Sequence, residues 1–312
     1  MRLTLSLLFV LLAAAMIDRA EAIEVNGSKA VLVTGANSGI GRKVTERLVA
    51  DGYFVFATAR KEEDLKALGA IRNVQPIRLD VTDPADIAAA ADTIGKTGRG
   101  LYGLVNNAGI ATVGSIADMS PEEFDLVMKV NVYGPVRMIK AFEPLLISQK
   151  GRIVNIGSIS GIVASPNLTA YAMSKHAIEA LTDSLAAQLA AQGVLVSVVE
   201  PGNYNSNIVR NALARMGADS KAAKSPGYAA RADRSIYKEP DEVAVTVEQA
   251  LFEPAPRRRY LVVPSQSEAE ITIKKQIEQL VQLNEHQPYS YDRAALVKML
   301  DDALAQETPK GK

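Results

Sequence analysis

From Lys29 onward, short apolar runs alternate with longer amphipathic stretches. The apolar runs are Ala30 to Thr34, Tyr53 to Thr58, Gln75 to Leu79, Gly103 to Asn106, Arg152 to Ile156, Val194 to Val199 and Tyr260 to Val263. They are rich in Val and Ile and apolar at both odd and even positions, the pattern of strands covered on both faces. Between them, Gly41 to Asp51, Asp86 to Gly95, Pro121 to Ser148 and Met173 to Gln192 read as helices. Ser120 before Pro121 supplies an N-cap and a residue suited to a helix's first turn. Strand and helix alternating over this length predict an α/β fold, a doubly wound, Rossmann-like parallel sheet in one domain with helices on both faces. The stretch Asn203 to Lys238 reads as a long connection between the last two strands. Beyond Pro264 lies a polar tail in which Ile273, Ile277, Leu280 and Val281 recur at helical spacing, so Glu268 to Leu283 is expected to be a terminal helix packed on the domain or on a partner subunit. The division expected is therefore a leader over 1–22, a sheet domain over 29–264 and a helical extension over 265–312.

The start of the chain departs from this pattern. Arg2 precedes an apolar run from Leu3 to Ile17, and Asp18-Arg19-Ala20-Glu21-Ala22 closes it with an Ala-x-Ala ending. That is the layout of a secretory signal peptide, and the run falls short of the roughly 20 apolar residues of a spanning helix. Export or anchoring by this segment is the expectation, with a cytoplasmic protein following if the start is misassigned. Lys and Arg number 35 and so do Asp and Glu, which gives no electrostatic reason to expect a nucleic-acid partner. The run Arg257-Arg258-Arg259 reads as a solvated turn before a strand. There is no cysteine, which excludes disulfides, thiolate metal sites and a Cys nucleophile, and the two histidines, His176 and His286, do not suggest a metal site.

Candidate chemistry begins where the first strand ends, at Thr34-Gly35-Ala36-Asn37-Ser38-Gly39-Ile40-Gly41. Glycines let a backbone turn sharply and approach a pyrophosphate, and a helix opening there points free amides and its positive dipole end at the phosphates. Alone, such a turn is a weak signal; its place after the first strand of the domain strengthens it. Further pieces follow in order: Asp80-Val81 after the third strand, Asn106-Asn107-Ala108-Gly109 at the fourth, Ser158 after the fifth, Tyr171-Ala172-Met173-Ser174-Lys175 opening a helix, and Pro201-Gly202 after the sixth.

In this order and spacing the pieces resemble the short-chain dehydrogenase/reductase family over roughly Lys29 to Pro264. Glu200-Pro201-Gly202-Asn203-Tyr204 resembles its retinol and steroid dehydrogenase-like branch. The resemblance implies an oxidoreductase acting on CH–OH groups with a nicotinamide cofactor and a catalytic set Asn131, Ser158, Tyr171 and Lys175. Tyr171 would exchange the proton of an alcohol or ketone, Ser158 would hold the reacting oxygen, Lys175 would also reach the nicotinamide ribose, and Asn131 would hold a water of the proton relay. It further implies cofactor contacts by Gly35, Asn37, Ser38, Gly39, Ile40, Gly41, Arg60, Asp80, Val81, Asn107, Ala108, Gly109, Pro201 and Gly202, with Asn107 also tying strands together and Asp80 at the adenine ring. Tyr171 and Lys175 are four apart, so on a helix they share a face. An ammonium about 4 Å away at an effective dielectric of about 20 would favour phenolate by about 4 kcal/mol, lowering the phenol's pKa by as much as about 3. At the end of the second strand an NAD site places an acid, whereas here stands Thr58-Ala59-Arg60-Lys61. Arg60, with Lys61 or Arg42 assisting, suits a 2′-phosphate, so NADP is expected ahead of NAD. Met138, Ile162, Val163 and the loop after Tyr204 are candidates for an apolar substrate wall. In the family the helices matching Pro121 to Ser148 and Met173 to Gln192 pack on symmetry mates, which implies a homodimer or homotetramer. A non-catalytic nucleotide-binding protein on the same fold is the alternative.

Overall fold

A computed structural model describes residues 29–217, 224 and 232–307. The leader over 1–22 and most of 218–231 lie outside the described residues. Seven strands form one parallel sheet: β1 (Ala30–Val33), β2 (Phe54–Ala59), β3 (Val74–Arg78), β4 (Gly103–Asn106), β5 (Arg152–Ile156), β6 (Leu195–Pro201) and β7 (Arg259–Val262), in the order β3-β2-β1-β4-β5-β6-β7. The order reverses between β1 and β4, which are paired through Leu32 and Leu104. In an open sheet of this kind the crevice at the strands' carboxyl ends, at such a switch point, receives the ligand.

The double apolar parity of the strands is used on both faces. Leu32, Phe56, Leu104 and Ile153 point into one core with Ile94, Met138, Phe142 and Leu146, while Val31, Val33, Val105 and Val154 point into the other with Val44, Leu48, Val247 and Leu251. The first core is covered by α3 (Pro84–Lys96), α5 (Gly134–Ser148) and α6 (Thr169–Leu189), and the second by α1 (Gly39–Ala50) and α8 (Asp241–Phe252). Among the described residues, further helices in the domain's connections are α2 (Glu62–Gly69), α4 (Pro121–Met128) and α7 (Ile208–Met216). Ser120 caps α4 as expected, its hydroxyl accepting from the Glu123 amide at 3.2 Å.

Three expectations change. The helix expected over Pro121 to Ser148 contains a π-helical turn at Lys129–Tyr133 between α4 and α5. Met138 has no access to any cleft, being fully buried in the first core. Arg259 is part of β7, where its guanidinium takes Asp183 in two hydrogen bonds of 3.0 and 2.6 Å, so only the front of the Arg257-Arg258-Arg259 run is a turn. The tail is helical where expected, as α9 (Gln266–Asn284), followed by α10 (Arg293–Glu307), and α9 turns Thr272 toward the domain while Ile273, Ile277 and Leu280 stay more than half exposed. Among the described residues no helix is long and apolar enough to cross a membrane.

Candidate active site

A cleft of about 1030 Å³ runs along the carboxyl ends of the strands. Its floor is the turn between β1 and α1. The Thr34 hydroxyl donates to the Val105 carbonyl at 3.2 Å and accepts from the amides of Asn107 and Ala108, both at 2.9 Å. The Asn107 side-chain amide donates back to the carbonyls of Thr34 and Gly35 at 2.8 and 3.1 Å. Asn107 thus ties β4 to the glycine turn, the support role the family resemblance implies for it. Gly35 and Gly39 have φ of +63° and +54°, and a Cβ on Gly35 would lie 3.1 Å from the Ala108 backbone. Both positions therefore favour glycine on backbone grounds, and Gly35 also on space. The amino end of α1 has no acidic residue and no side chain capping it, so its free amides face the cleft beside Asn37 and Ser38. These features fit a dinucleotide's pyrophosphate.

Gly41 belongs elsewhere. It does not line the cleft, and a Cβ there would collide with the Gly35 carbonyl and the Asn107 amide. Its smallness lets α1 sit against the turn, which makes it a packing glycine rather than a cofactor contact. Gly41→Ala is expected to destabilise the fold by about 1–3 kcal/mol. A melting temperature equal to that of the parent would contradict this.

At the end of β2, Arg60 and Lys61 line the cleft with side chains 70% and 72% exposed. Arg60 stands 3.4 Å from Asp80 and Lys61 3.3 Å from Glu63, so neither is deeply committed. Burial pushes the Asp80 carboxyl up, but hydrogen bonds from the Thr82 amide and hydroxyl, helped by Arg60, hold it below its usual value. Arg42 bonds Glu46 at 2.6 Å and is not part of the lining.

The opposite wall carries Ser158, Tyr171 and Lys175. Ser158 leaves β5 with its hydroxyl accepting the Ser160 amide at 3.0 Å, and it lines the cleft together with the Tyr171 phenol. Tyr171 sits in the first turn of α6 and Lys175 one turn later, on the same face. The Lys175 ammonium donates to the Ile156 carbonyl at 2.7 Å and lies 5.6 Å from the centre of the Tyr171 ring. Burial pushes Lys175 down to about 8, with Glu179 opposing. It also raises Tyr171 above its ordinary value, while Ser158 and the charge of Arg234 pull it back. The phenol is thus shifted opposite to the direction read from the sequence. Desolvation outweighs Ser158 and the Arg234 charge, and Lys175 spends a hydrogen bond on a carbonyl instead of the phenol.

Asn131 is buried in the π-helical turn and does not line the cleft. Its carbonyl accepts the Ile110 amide at 2.9 Å, and its amide donates to the Ile110 carbonyl at 2.8 Å and to the Ser174 hydroxyl at 2.9 Å. Both amide hydrogens are used, so its role here is to clamp the loop after β4 onto α6. The other candidates, namely Gly35, Asn37, Ser38, Gly39, Ile40, Arg60, Asp80, Val81, Asn107, Ala108, Gly109, Pro201 and Gly202, line one cleft with Ser158, Tyr171 and Lys175. Val163 lines it too, and Ile162 does not. Leu168 joins them without having been singled out from the sequence, and Ile208, Val209, Arg234 and Tyr237 join them from the connection after Tyr204, which the sequence offered only as a stretch. Arg215 also reaches the cleft, with its charge met by Glu123 at 3.0 Å.

A family model described as short chain dehydrogenase matches residues 29–217. Bovine mitochondrial D-beta-hydroxybutyrate dehydrogenase is 38% identical over 195 residues, which is 59% of this chain and 57% of that protein. Human 11-beta-hydroxysteroid dehydrogenase type 2 is 37% identical over 194 residues, 59% of this chain and 47% of that protein. The match thus spans about half the length of these curated relatives. Among solved structures, a short-chain dehydrogenase/reductase from Burkholderia phymatum in complex with NAD superposes with a TM-score of 0.72 at 26% identity, covering 84% of this chain and 98% of that one. A short-chain dehydrogenase from Burkholderia cenocepacia in complex with NADP gives 0.66 at 26% identity, covering 83% and 98%.

Proposed function

This chain belongs to the short-chain dehydrogenase family, whose members are NAD(P)-dependent oxidoreductases, and we propose that it moves a hydride between NADP(H) and an alcohol or ketone with an apolar body. The observation that carries the reading is one cleft with the glycine turn of β1–α1 on one wall and the Ser158–Tyr171–Lys175 cluster on the other. The residues present fit a nicotinamide dinucleotide. Gly35, Asn37, Ser38, Gly39 and Ile40 would hold the pyrophosphate, Arg60 a 2′-phosphate, and Asp80 with Val81 the adenine side. Once bound, the nicotinamide supplies or accepts the hydride at the substrate carbon. In the oxidative direction Tyr171, as phenolate, takes the hydroxyl proton while the C–H bond gives up its electron pair, and in reduction Tyr171 returns that proton to the carbonyl oxygen. Ser158 donates to the same oxygen and holds it beside the phenol. Lys175 keeps a positive charge behind Tyr171 and opposes the burial that disfavours phenolate.

Leu168, Ile208, Val209 and Tyr237 give the outer cleft an apolar side, and the names of the relatives point to secondary alcohols. The test is cofactor consumption, followed by absorbance, against a panel of apolar ketones and secondary alcohols. Turnover of none of them with either nucleotide would overturn the reading.

The division into a leader at 1–22, a catalytic domain at 29–264 and a helical extension at 265–312 is part of the proposal, with the leader directing export or anchoring. Full-length, uncleaved and soluble cytosolic protein on a cell-fractionation blot would contradict that part. A homodimer or homotetramer is expected as well. Ala180 and Ser184 on α6 are exposed, as are Tyr133 at 52% and Met173 at 47%, and the outward stripe of α9 adds Ile273, Ile277 and Leu280. Light scattering at micromolar concentration should give at least twice the monomer mass, and a stable monomer would refute it.

A further inference from the structure

We propose that Glu179 and Glu200 form a buried carboxyl pair holding a single proton beneath the catalytic layer, and that this pair governs the charge of Lys175 and with it the alkaline limit of catalysis. The inference rests on reading Tyr171 and Lys175 as the proton-transfer pair. Glu179 lies one turn beyond Lys175 on α6, and Glu200 immediately precedes Pro201 and Gly202 at the cleft end of β6. Their side chains are only 13% and 4% exposed. The Glu179 carboxyl occupies the space beneath the Ser158 loop, since a Cβ on Gly157 or Gly161 would stand 2.9 or 3.1 Å from its Oε1.

The charges facing the pair are Lys175 and Asp183 on α6 and Arg259 on β7, with Arg258 just ahead of that strand behind Asp183. Arg259 Nε is 3.4 Å from Glu179 and 3.9 Å from Glu200, but the far side of its guanidinium is committed to Asp183 at 3.0 and 2.6 Å. Arg258 stands 3.6 Å from the same Asp183. Three carboxyls therefore share one inner cation. Both glutamates converge on the same Arg259 Nε, yet written as carboxylates both oxygens of Glu179 and Oε1 of Glu200 are buried without a hydrogen-bond partner. One retained proton supplies the missing donor and removes the repulsion. Burial pushes both carboxyls up, Glu179 further through the charge of Glu200, and Glu179 stands one turn from an ammonium that burial pushes down to about 8.

The sign of the coupling follows. As Glu179 loses its proton, the new carboxylate favours the Lys175 ammonium, so the lysine keeps its charge to higher pH than it would alone. Glu200→Gln removes the like charge that holds the proton on Glu179. Glu179 then ionises at lower pH, and the alkaline fall of kcat/KM should move to higher pH. Glu179→Gln removes the supporting carboxylate, and the same limb should move to lower pH. Shifts of opposite direction, each on the order of half to one pH unit, are expected. Limbs that stay in place, or move in the same direction, would overturn the pair's role, because a merely structural effect has no reason to separate the two variants by sign. Loss of turnover in Tyr171→Phe together with unmoved limbs in both glutamate variants would sink this inference and leave the proton-transfer reading standing. Retained turnover in Tyr171→Phe would sink that reading, and with it the link to catalysis. The shared proton is tested on the wild-type protein by infrared titration. A protonated-carboxyl stretch present at pH 7 and lost near pH 8 supports it, and its absence at pH 7 overturns it, whether or not Glu179→Gln folds.

Discussion

Replacing Tyr171 by Phe lowers kcat for alcohol oxidation by about 10²–10⁴ and leaves NADPH affinity within about twofold. The substitution deletes one oxygen and keeps the ring that packs at the start of α6. What disappears is the group proposed to accept the substrate proton. Proton transfer then falls to water, which the wall of the cleft does not orient. Because the phenol is pushed up by burial, the oxidative rate of the parent should rise as the pH climbs toward the phenol's pKa and Tyr171 ionises, until loss of the Lys175 charge ends the rise. The variant should lack that ascending limb. Steady-state kinetics and a fluorescence titration with NADPH measure the two quantities separately. Turnover within tenfold of the parent would remove Tyr171 from the mechanism.

Arg60→Asp should change the ratio of kcat/KM for NADP over NAD by about 100-fold in favour of NAD, equivalent to about 2.7 kcal/mol. Arg60 is 70% exposed and its 3.4 Å contact with Asp80 is a weak surface pair, so the fold loses little when it goes. The carboxylate that replaces it repels a 2′-phosphate and accepts from a 2′-hydroxyl. An unchanged ratio with both nucleotides still active would show that Arg60 does not read the phosphate, leaving Lys61 as the next cation on that rim.

The strands were legible because a sheet covered on both faces leaves an uninterrupted apolar run for each, and β4 and β5 fall on the residues expected from that rule. The site was legible because its chemistry is carried by short motifs at strand ends. Helix α8 was not, since Val243, Val245, Thr246 and Val247 give it a strand-like composition, and only packing of Val243, Val247 and Leu251 on the second core holds it helical. The π-helical turn was hidden for a related reason. Its cause is Asn131 reaching back to Ile110, a contact between elements that local pattern does not encode. Met138 looked like a cleft residue because an apolar side chain near a motif has no mark of which way it faces. The shift of Tyr171 was misjudged because a charge four residues away is visible in sequence while burial is not.

The order in which the chain is made has a bearing on when this site becomes competent. Every proposed catalytic group precedes residue 203, yet much of what surrounds them arrives afterwards. Arg259 meets Glu179 and Glu200 only when β7 docks at the sheet edge, and Glu268 of α9 accepts the Asn203 amide at 2.9 Å just beyond Pro201 and Gly202. A nascent chain that has completed β6 therefore already carries its motifs, while two buried acids still lack their cation. Contacts of such long sequence separation form late, after their loop-closure entropy has been met. Recovery of turnover on refolding should accordingly lag behind recovery of helix and sheet content, making catalysis a readout of the last strand's arrival.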